Sequence, residues 1–432
     1  MKIQSWGALS RDEHELIPLF DRSTVAAQMP GPGPGLAHGL GRSYGDVALN
    51  PGGRLWLCTG LDRYIRFDPL LGRLRCEAGV SLDSIQRLFV PRGWMLPVTP
   101  GTRWVTLGGA VANDVHGKNH HARGTFGHHV LALRLVRSSG EVLDLSPDQN
   151  TDLFFATLGG LGLTGVITEV ELQLMPVQGP WLDSETIPFH SLDDFFALSM
   201  HSEANWEYTV AWIDCLSGPQ LRGLFMRAQH REEQDAEAGE RVHRSLQPPL
   251  TPPVSLINGL SLRAFNEAYF RLHAHDGEAR VHYLPFFYPL DHVGHWNRIY
   301  GPAGFYQYQS VIPSIHAKEA TEQMLAAIKA SGQGSFLAVL KVFGRMPSLG
   351  MLSFPQAGVT LALDFPNRHQ ASLRLFERLD HIVSEAGGRL YMAKDARMPA
   401  AMFQQGYPQW ESFLSLRDPG ISSAMSRRLM GS

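Results

Sequence analysis

The chain has 432 residues, 44% apolar and 18% charged, with a formal net charge of -3. This length exceeds the usual single core and points to two lobes, and the composition lies far from the polar bias of disordered chains. So small a net charge excludes a global electrostatic case for nucleic acid or for an anionic membrane, leaving local patches as the only route. Cys58, Cys76 and Cys215 are widely spaced and odd in number, so reduced thiols in a cytoplasmic setting are expected, with neither a disulfide framework nor a CxxC metal pair. The opening MKIQSWGALSRDEHEL has no apolar run of signal-peptide length, and no run of about 18 apolar residues occurs elsewhere, so any membrane contact is expected to be peripheral.

In chain order, the first glycine-rich segment is GLGRSYGD, residues 39–46. Residues 64–79 alternate apolar and polar on either side of Pro69 to Gly72 and predict a hairpin; Ser81 then caps a short helix carrying Leu82, Ile85, Leu88 and Phe89. The second glycine-rich segment, PGTRWVTLGGAVANDVHGKNHH, covers residues 100–121. Paired strands are expected within 130–145, turning at Ser138-Ser139-Gly140, and the third glycine-rich segment, TLGGLGLTGV, covers 157–166. Gly160 to Gly165 satisfies GxGxxG, yet it precedes the period-two run VITEVELQLMPV instead of opening a helix, which argues against a nicotinamide-binding Rossmann unit.

Past residues 179–184 the chain turns rich in aromatics, including Trp206, Tyr208, Trp212, Phe286, Phe287 and Tyr288, and a second lobe is expected from 181. Helices are predicted over 317–330 and 368–386, the latter closed by Gly387, with a strand at 358–366 between them. The charged run REEQDAEAGERVHR and the prolines of QPPLTPP predict a mobile excursion within 231–253, either a plain surface loop or a lid over the substrate.

Glycine allows backbone N–H groups to approach a pyrophosphate closely, and successive turn amides form an anion-binding nest. One such loop is more often an ordinary tight turn; three in one lobe favour a dinucleotide cradle. The histidines of HGKNHH and GHH raise a metal reading, but no carboxylate or cysteine spacing completes a site, so no metal is expected.

The order GxGRSYGD, PGTxxVTxGGAVAxDxHGKNHH and LFxATxGGxGLTGVI resembles the FAD-binding domain of the decaprenylphosphoryl-β-D-ribose 2-oxidase family, within the vanillyl-alcohol-oxidase superfamily. The likeness continues through YTVAWIDC, YPLDHVGHWNRIYGPAGFYQYQSVIP, KVFG, LDFP and GGRLYMAKDAR, and is weakest across 218–280. The resemblance implies an α+β fold: a PCMH-type FAD-binding domain made from residues 1–180 and 389–432, with an inserted α+β substrate domain at 181–388. It places FAD contacts on Gly41, Arg42, Ser43, Tyr44, Gly45, Gly101, Thr102, Gly108, Ala112, His116, Gly117, Gly162, Thr164, Gly165 and Val166. Relatives that bind flavin covalently carry a histidine where this chain has Tyr44, so dissociable FAD is expected.

The same resemblance implies catalytic roles for Lys394, Lys118 and His116, and substrate contacts from Tyr44, Trp212, Phe287, Arg298, Gln307, Gln309, Lys341, Thr360, Ala362 and Lys394. A lysine in such a place can polarise an alkoxide, hold a phosphate, support charge on reduced flavin, or act as the base when desolvated. The implied reaction is oxidation of the 2-hydroxyl of a polyprenyl-phosphoryl pentose to a ketone. An NAD(P)H-dependent short-chain reductase would then complete an epimerisation that serves a cell-wall polysaccharide precursor. The chain departs from the family at Thr360 and Ala362, where asparagine and cysteine are usual, and at Phe287-Tyr288, which replace a tyrosine-histidine pair. These departures leave a soluble polyol or aldonolactone as the alternative substrate. A fold retained only for binding or assembly is disfavoured by the presence of Lys118, His116 and Lys394 together.

Overall fold

Short apolar strands separated by glycine turns build the described residues into a three-stranded, a five-stranded and an eight-stranded sheet, with two further two-stranded pairs. The computed structural model describes residues 1–218, 220–232, 248, 250–275 and 277–431. β1 (Glu15–Pro18), β2 (Gly35–His38) and β3 (Arg54–Leu57) form the small parallel sheet, with β3 in the middle. β2 feeds directly into the first glycine-rich loop.

The five-stranded antiparallel sheet has the order β7-β6-β8-β5-β4, from β4 (Tyr64–Asp68), β5 (Arg73–Glu77), β6 (Val130–Val136), β7 (Val142–Leu145) and β8 (Val166–Gln173). The expected hairpin is β4 and β5, and the expected pair within 130–145 is β6 and β7. The GxGxxG run leads into β8, a strand. Glu169 and Glu77 sit directly opposite each other on β8 and β5, which would repel. Arg22 bridges the two carboxylates at 2.9 and 3.1 Å, and Arg75 and Arg134 also pair with Glu169, so two buried acids are tolerated there. α1 (Leu82–Phe89) begins as expected, with the Ser81 hydroxyl accepting from Ser84 N, and α2 (Leu107–Ala112) begins with Thr106 accepting from Gly109 N.

The eight-stranded sheet has the order β12-β9-β11-β10-β14-β15-β13-β16. Its strands are β9 (Trp181–Phe189), β10 (Tyr208–Ile213), β11 (Gly223–His230), β12 (Gly277–His282), β13 (Phe305–Pro313), β14 (Ala338–Phe343), β15 (Gly358–Pro366) and β16 (Arg389–Leu390). Alternation along β13 divides its two faces. Tyr306 and Tyr308 pack on Phe376, and Tyr308 donates to Asp380, both partners on α5 (Gln370–Glu385). Gln307 and Gln309 point the other way, into a cavity. α4 (Ala317–Ala330) and α5 lie where the periodicity predicts, and Gly387 follows α5 at φ +67°.

α3 (Gly259–His273) was not legible in the sequence, and the predicted excursion at 231–253 has its residues 233–247 and 249 outside the described residues. After β16 the chain returns to the first lobe through α6 (Ala400–Gly406), α7 (Trp410–Leu416) and α8 (Ala424–Met430). Gly35 of β2 bridges Ile421 in parallel, Arg428 pairs with Asp46 at 2.8 Å, and Arg137 donates to the Leu416 carbonyl at 2.9 Å.

Candidate active site

A cavity of about 620 Å³ lies between the glycine loops of the first lobe and the free face of the eight-stranded sheet. Its first wall comes from Gly39, Gly41, Arg42, Ser43 and Tyr44, from residues 100–106 with Gly108 and Ala112, and from Gly162 and Gly165. All three glycine-rich segments therefore converge on one space. A Cβ added at Gly101 or Gly162 would meet no atom within 4 Å, so at these positions the bare backbone faces an open volume. Arg42 holds its guanidinium 4.2 Å from the Trp6 ring centre, and its buried Nε has no hydrogen-bond partner among the described residues. Open glycine walls with an unspent guanidinium N–H fit an elongated anionic dinucleotide such as FAD.

The opposite wall follows from strand register. On adjacent strands Gln307 faces Asp364, Gln309 faces Ala362 and Lys341 faces Thr360, so period two brings all of them to one side of the sheet. Gln307 Nε2 donates to Asp364 Oδ1 at 2.6 Å. Gln309 Nε2 donates to His116 Nε2 at 3.1 Å and to Thr360 Oγ1 at 3.2 Å. Because the amide donates, His116 accepts at Nε2 and carries its proton on Nδ1, which is buried without a partner among the described residues. Burial, with the nearby positive charge of Lys341 second, holds His116 well below the usual histidine range, so it is neutral.

Lys394 reaches the cavity from the turn after β16. Its Nζ lies 3.9 Å from the centre of the Tyr44 ring. The AKDAR motif explains how that turn is fixed. Arg397 makes a bidentate pair with Asp380 of α5 at 2.5 and 2.7 Å, and the Asp395 carboxylate accepts from Arg397 N and Met398 N while pairing with Arg428 at 3.0 Å. Tyr44 N donates to Ala393 O, tying the first glycine loop to the same turn. Burial pushes the Lys394 amine down, partly offset by the Asp364 carboxylate, while burial pushes Asp364 up. Lys341, which donates to the Gly117 carbonyl at 3.3 Å, is lowered to about 8 by burial and by Lys394.

The structure thus brings together His116, Gln307, Gln309, Lys341, Ala362, Lys394 and Tyr44 on the cavity wall. It does not bring there Lys118, Trp212, Phe287, Arg298, Thr360, Gly45, Gly117, Thr164 or Val166. Lys118 Nζ donates to the carbonyls of Phe286 and Phe287, and burial with the charge of Lys341 lowers it to about 7. Trp212 spends its indole N–H on Phe336 O and packs on Tyr269. Phe287 is buried against Tyr208, Arg298 is held by Pro248 O, and Thr360 lies behind Gln309. Thr164 hydrogen bonds Thr157, Val166 is in the core, the Gly117 carbonyl is occupied by Lys341, and Gly45 abuts Asp395.

Sequence reasoning passed over several residues of the wall. Trp6, Tyr391 and the loop from Leu290 to Trp296 line the cavity. Asp291 accepts from Thr102 Oγ1 at 2.8 Å and from Arg103 N at 2.9 Å, clamping the PGTRW loop, and Tyr391 donates to Asn113 O. The LDHVGHW stretch was noticed only as part of the resemblance; its acid and tryptophan were the available signal.

Comparison with known proteins agrees with this geometry. Residues 33–146 match a family described as an FAD binding domain. Decaprenylphosphoryl-beta-D-ribose oxidase of Mycolicibacterium smegmatis is 37% identical, over 99% of this chain and 97% of its own length. An uncharacterized protein of Streptomyces coelicolor is 31% identical over 81% of this chain and all of its own length, and human Delta(24)-sterol reductase is 30% identical over 24% of this chain and 20% of its own. The likeness to the first of these runs through both walls of the cavity, and the chain belongs to the decaprenylphosphoryl-β-D-ribose oxidase family of FAD-binding flavoproteins.

Proposed function

We propose that the protein is an FAD-dependent oxidoreductase that converts a secondary hydroxyl of a sugar to a ketone, its substrate being the 2-hydroxyl of a polyprenyl-phosphoryl pentose. The observation that carries this reading is the cluster of Lys394, Lys341, His116 and Gln309 on the wall of a cavity also lined by the glycine loops. Bound FAD supplies a two-electron oxidant for a carbinol C–H bond. Lys394 binds the hydroxyl oxygen and takes its proton when the amine is neutral, the form that burial favours. Lys341 supplies a second positive charge to the oxygen as it turns anionic, in a site where water is scarce. Gln307 and Gln309 orient the sugar, and Lys118 acts at a distance by holding the chain at Phe286 and Phe287.

FAD is held without a covalent bond in this proposal, because Tyr44 stands where covalent relatives carry the linking histidine. The domain division proposed is 1–180 with 389–432 for FAD and 181–388 for substrate, supported by the Gly35–Ile421 bridge and the Arg428–Asp46 pair. The keto sugar is passed to an NAD(P)H-dependent reductase. Among the described residues no helix is long and apolar enough to cross a membrane. In this proposal the protein meets its lipid-linked substrate at the membrane surface.

Anaerobic titration of the holoenzyme tests the reading. Flavin absorbance should bleach with a polyprenyl-phosphoryl ribose and stay unchanged with free pentoses, alditols and aldonolactones. Bleaching by soluble polyols in place of the lipid phosphate would move the chain to the alternative substrate class.

A further inference from the structure

An amphipathic helix on a globular protein normally turns its apolar stripe inward. α3 carries apolar residues on its outer side as well. Leu260, Ala264, Ala268 and Leu272 follow one another at i, i+4, i+8 and i+12, which is one row along the helix. All four are exposed, Leu260 at 81% and Leu272 at 72%. The inner side is anchored separately, by buried Leu262, by Asn266 donating to Asp214 at 2.7 Å and by Tyr269 on Trp212. The segment before the helix adds further exposed apolar residues, Leu250 at 78% with Val254 and Leu256 also open. A row of exposed apolar residues along one helix face marks an interaction site more often than a scattered exposed leucine does.

Two features say what covers it. The first is charge: exposed Arg263 and Arg271 flank the row on the helix, and exposed Arg368 donates to Ile257 O at its edge. The one acid of α3, Glu267, is already paired with Arg222 and Arg271. An apolar face fringed by arginines suits the boundary between acyl chains and anionic headgroups. The second is continuity with the cavity. Leu256 N donates to Ile299 O, and Gly301 lies so close to Val254 and Ser255 that a Cβ there would sit 2.9 Å from Ser255 N. The turn at Trp296–Tyr300 that carries this contact also supplies Trp296 to the cavity wall, beside His295 and Gly294.

We propose that the outer face of α3, with Leu250, Val254 and Leu256, seats on the surface of an anionic lipid bilayer and so presents the cavity mouth to a membrane-held substrate; this rests on the lipid-phosphoryl sugar reading above. The experiment is co-sedimentation of the holoenzyme with phosphatidylcholine vesicles, with and without phosphatidylglycerol, for the native chain, for Leu260→Ser/Leu272→Ser and for Arg263→Gln/Arg271→Gln. The native protein should sediment with the anionic vesicles. The leucine variant should lose on the order of tenfold or more in partitioning, and the arginine variant should lose its preference for phosphatidylglycerol.

All three proteins should hold FAD and be bleached equally by a short-chain, water-soluble prenyl-phosphoryl ribose. Native protein that ignores vesicles yet is bleached by the short-chain compound overturns the docking surface and leaves the function reading intact. Vesicle binding that depends on the leucines, with no bleaching by any prenyl-phosphoryl sugar, does the reverse. Native protein that self-associates through these leucines and does not bind vesicles overturns the proposal in favour of contact between copies of the chain.

Discussion

At the scale of single residues, Lys394 carries the sharpest expectation. Its Nζ lies over Tyr44, while its backbone is fixed by bonds that do not involve its own side chain: Arg397 to Asp380, and Asp395 to Arg428. Truncation should therefore spare both the turn and the glycine loops. Lys394→Ala should purify yellow and folded, with flavin content unchanged, and reduction by substrate should slow on the order of a hundredfold or more. The measurement is the anaerobic single-turnover rate beside the absorbance ratio of flavin to protein. Near-normal reduction would take Lys394 out of the catalytic set, and loss of FAD would make it a cofactor residue. Asp364 shows why much of such a site escapes sequence reading. It sits in LDFP, an ordinary strand ending, and becomes relevant only because cross-strand register sets it opposite Gln307. No local pattern encodes that pairing.

At the scale of elements, the joint between the first glycine loop and the AKDAR turn is the tightest in the site. A Cβ on Gly45 would sit 1.7 Å from Asp395 O and 2.4 Å from its carbonyl carbon, both backbone atoms held by the bonds around Asp395. No flexible side chain can yield there. Gly45→Ala should cost about 1–3 kcal/mol of stability and lower FAD occupancy, read as a fall in melting temperature together with a fall in the flavin-to-protein ratio; normal values of both would show that the two segments part easily. Legibility varies in the same physical way from element to element. α4 and α5 could be read because each has one apolar face against the eight-stranded sheet, and the hairpin β4–β5 because its turn residues are punctuation. α3 went unread because it follows directly on the charged, proline-rich stretch and carries Leu260 and Leu272 on its outer side besides the buried Leu262. The Asp291 clamp on Thr102 and Arg103 joins residues nearly two hundred positions apart in sequence, and no spacing rule reaches that far.

At the scale of the whole molecule, the cavity is walled by residues from position 6 to position 394, so FAD bound there would touch segments far apart in the chain at once. A dissociable ligand that binds only the folded state adds stability by mass action, about 2.7 kcal/mol at a hundredfold excess over its dissociation constant. Protein stripped of flavin at low pH should melt lower than the holoenzyme, and its melting temperature should climb steadily with added FAD. A melting temperature indifferent to FAD, with yellow cofactor staying in the acid precipitate, would mean a covalent flavin and would overturn the inference drawn from Tyr44.

The closing of the first lobe by the last stretch of chain has a consequence for biosynthesis. β2 ends at His38, yet the strand-like partner at its edge is Ile421, and Asp46 waits for Arg428. At a translation rate of about 5–20 residues per second, these partners follow the glycine loop out of the ribosome after an interval of roughly 20–80 s. Throughout that interval the first glycine-rich loop has one flank uncovered. The five-stranded sheet and α1 can form once Gln173 has emerged, since all their strands lie before that residue. The edge of β2 is covered last, so the folding of this region belongs to the end of synthesis and depends on the newborn chain keeping that open edge from pairing with anything else.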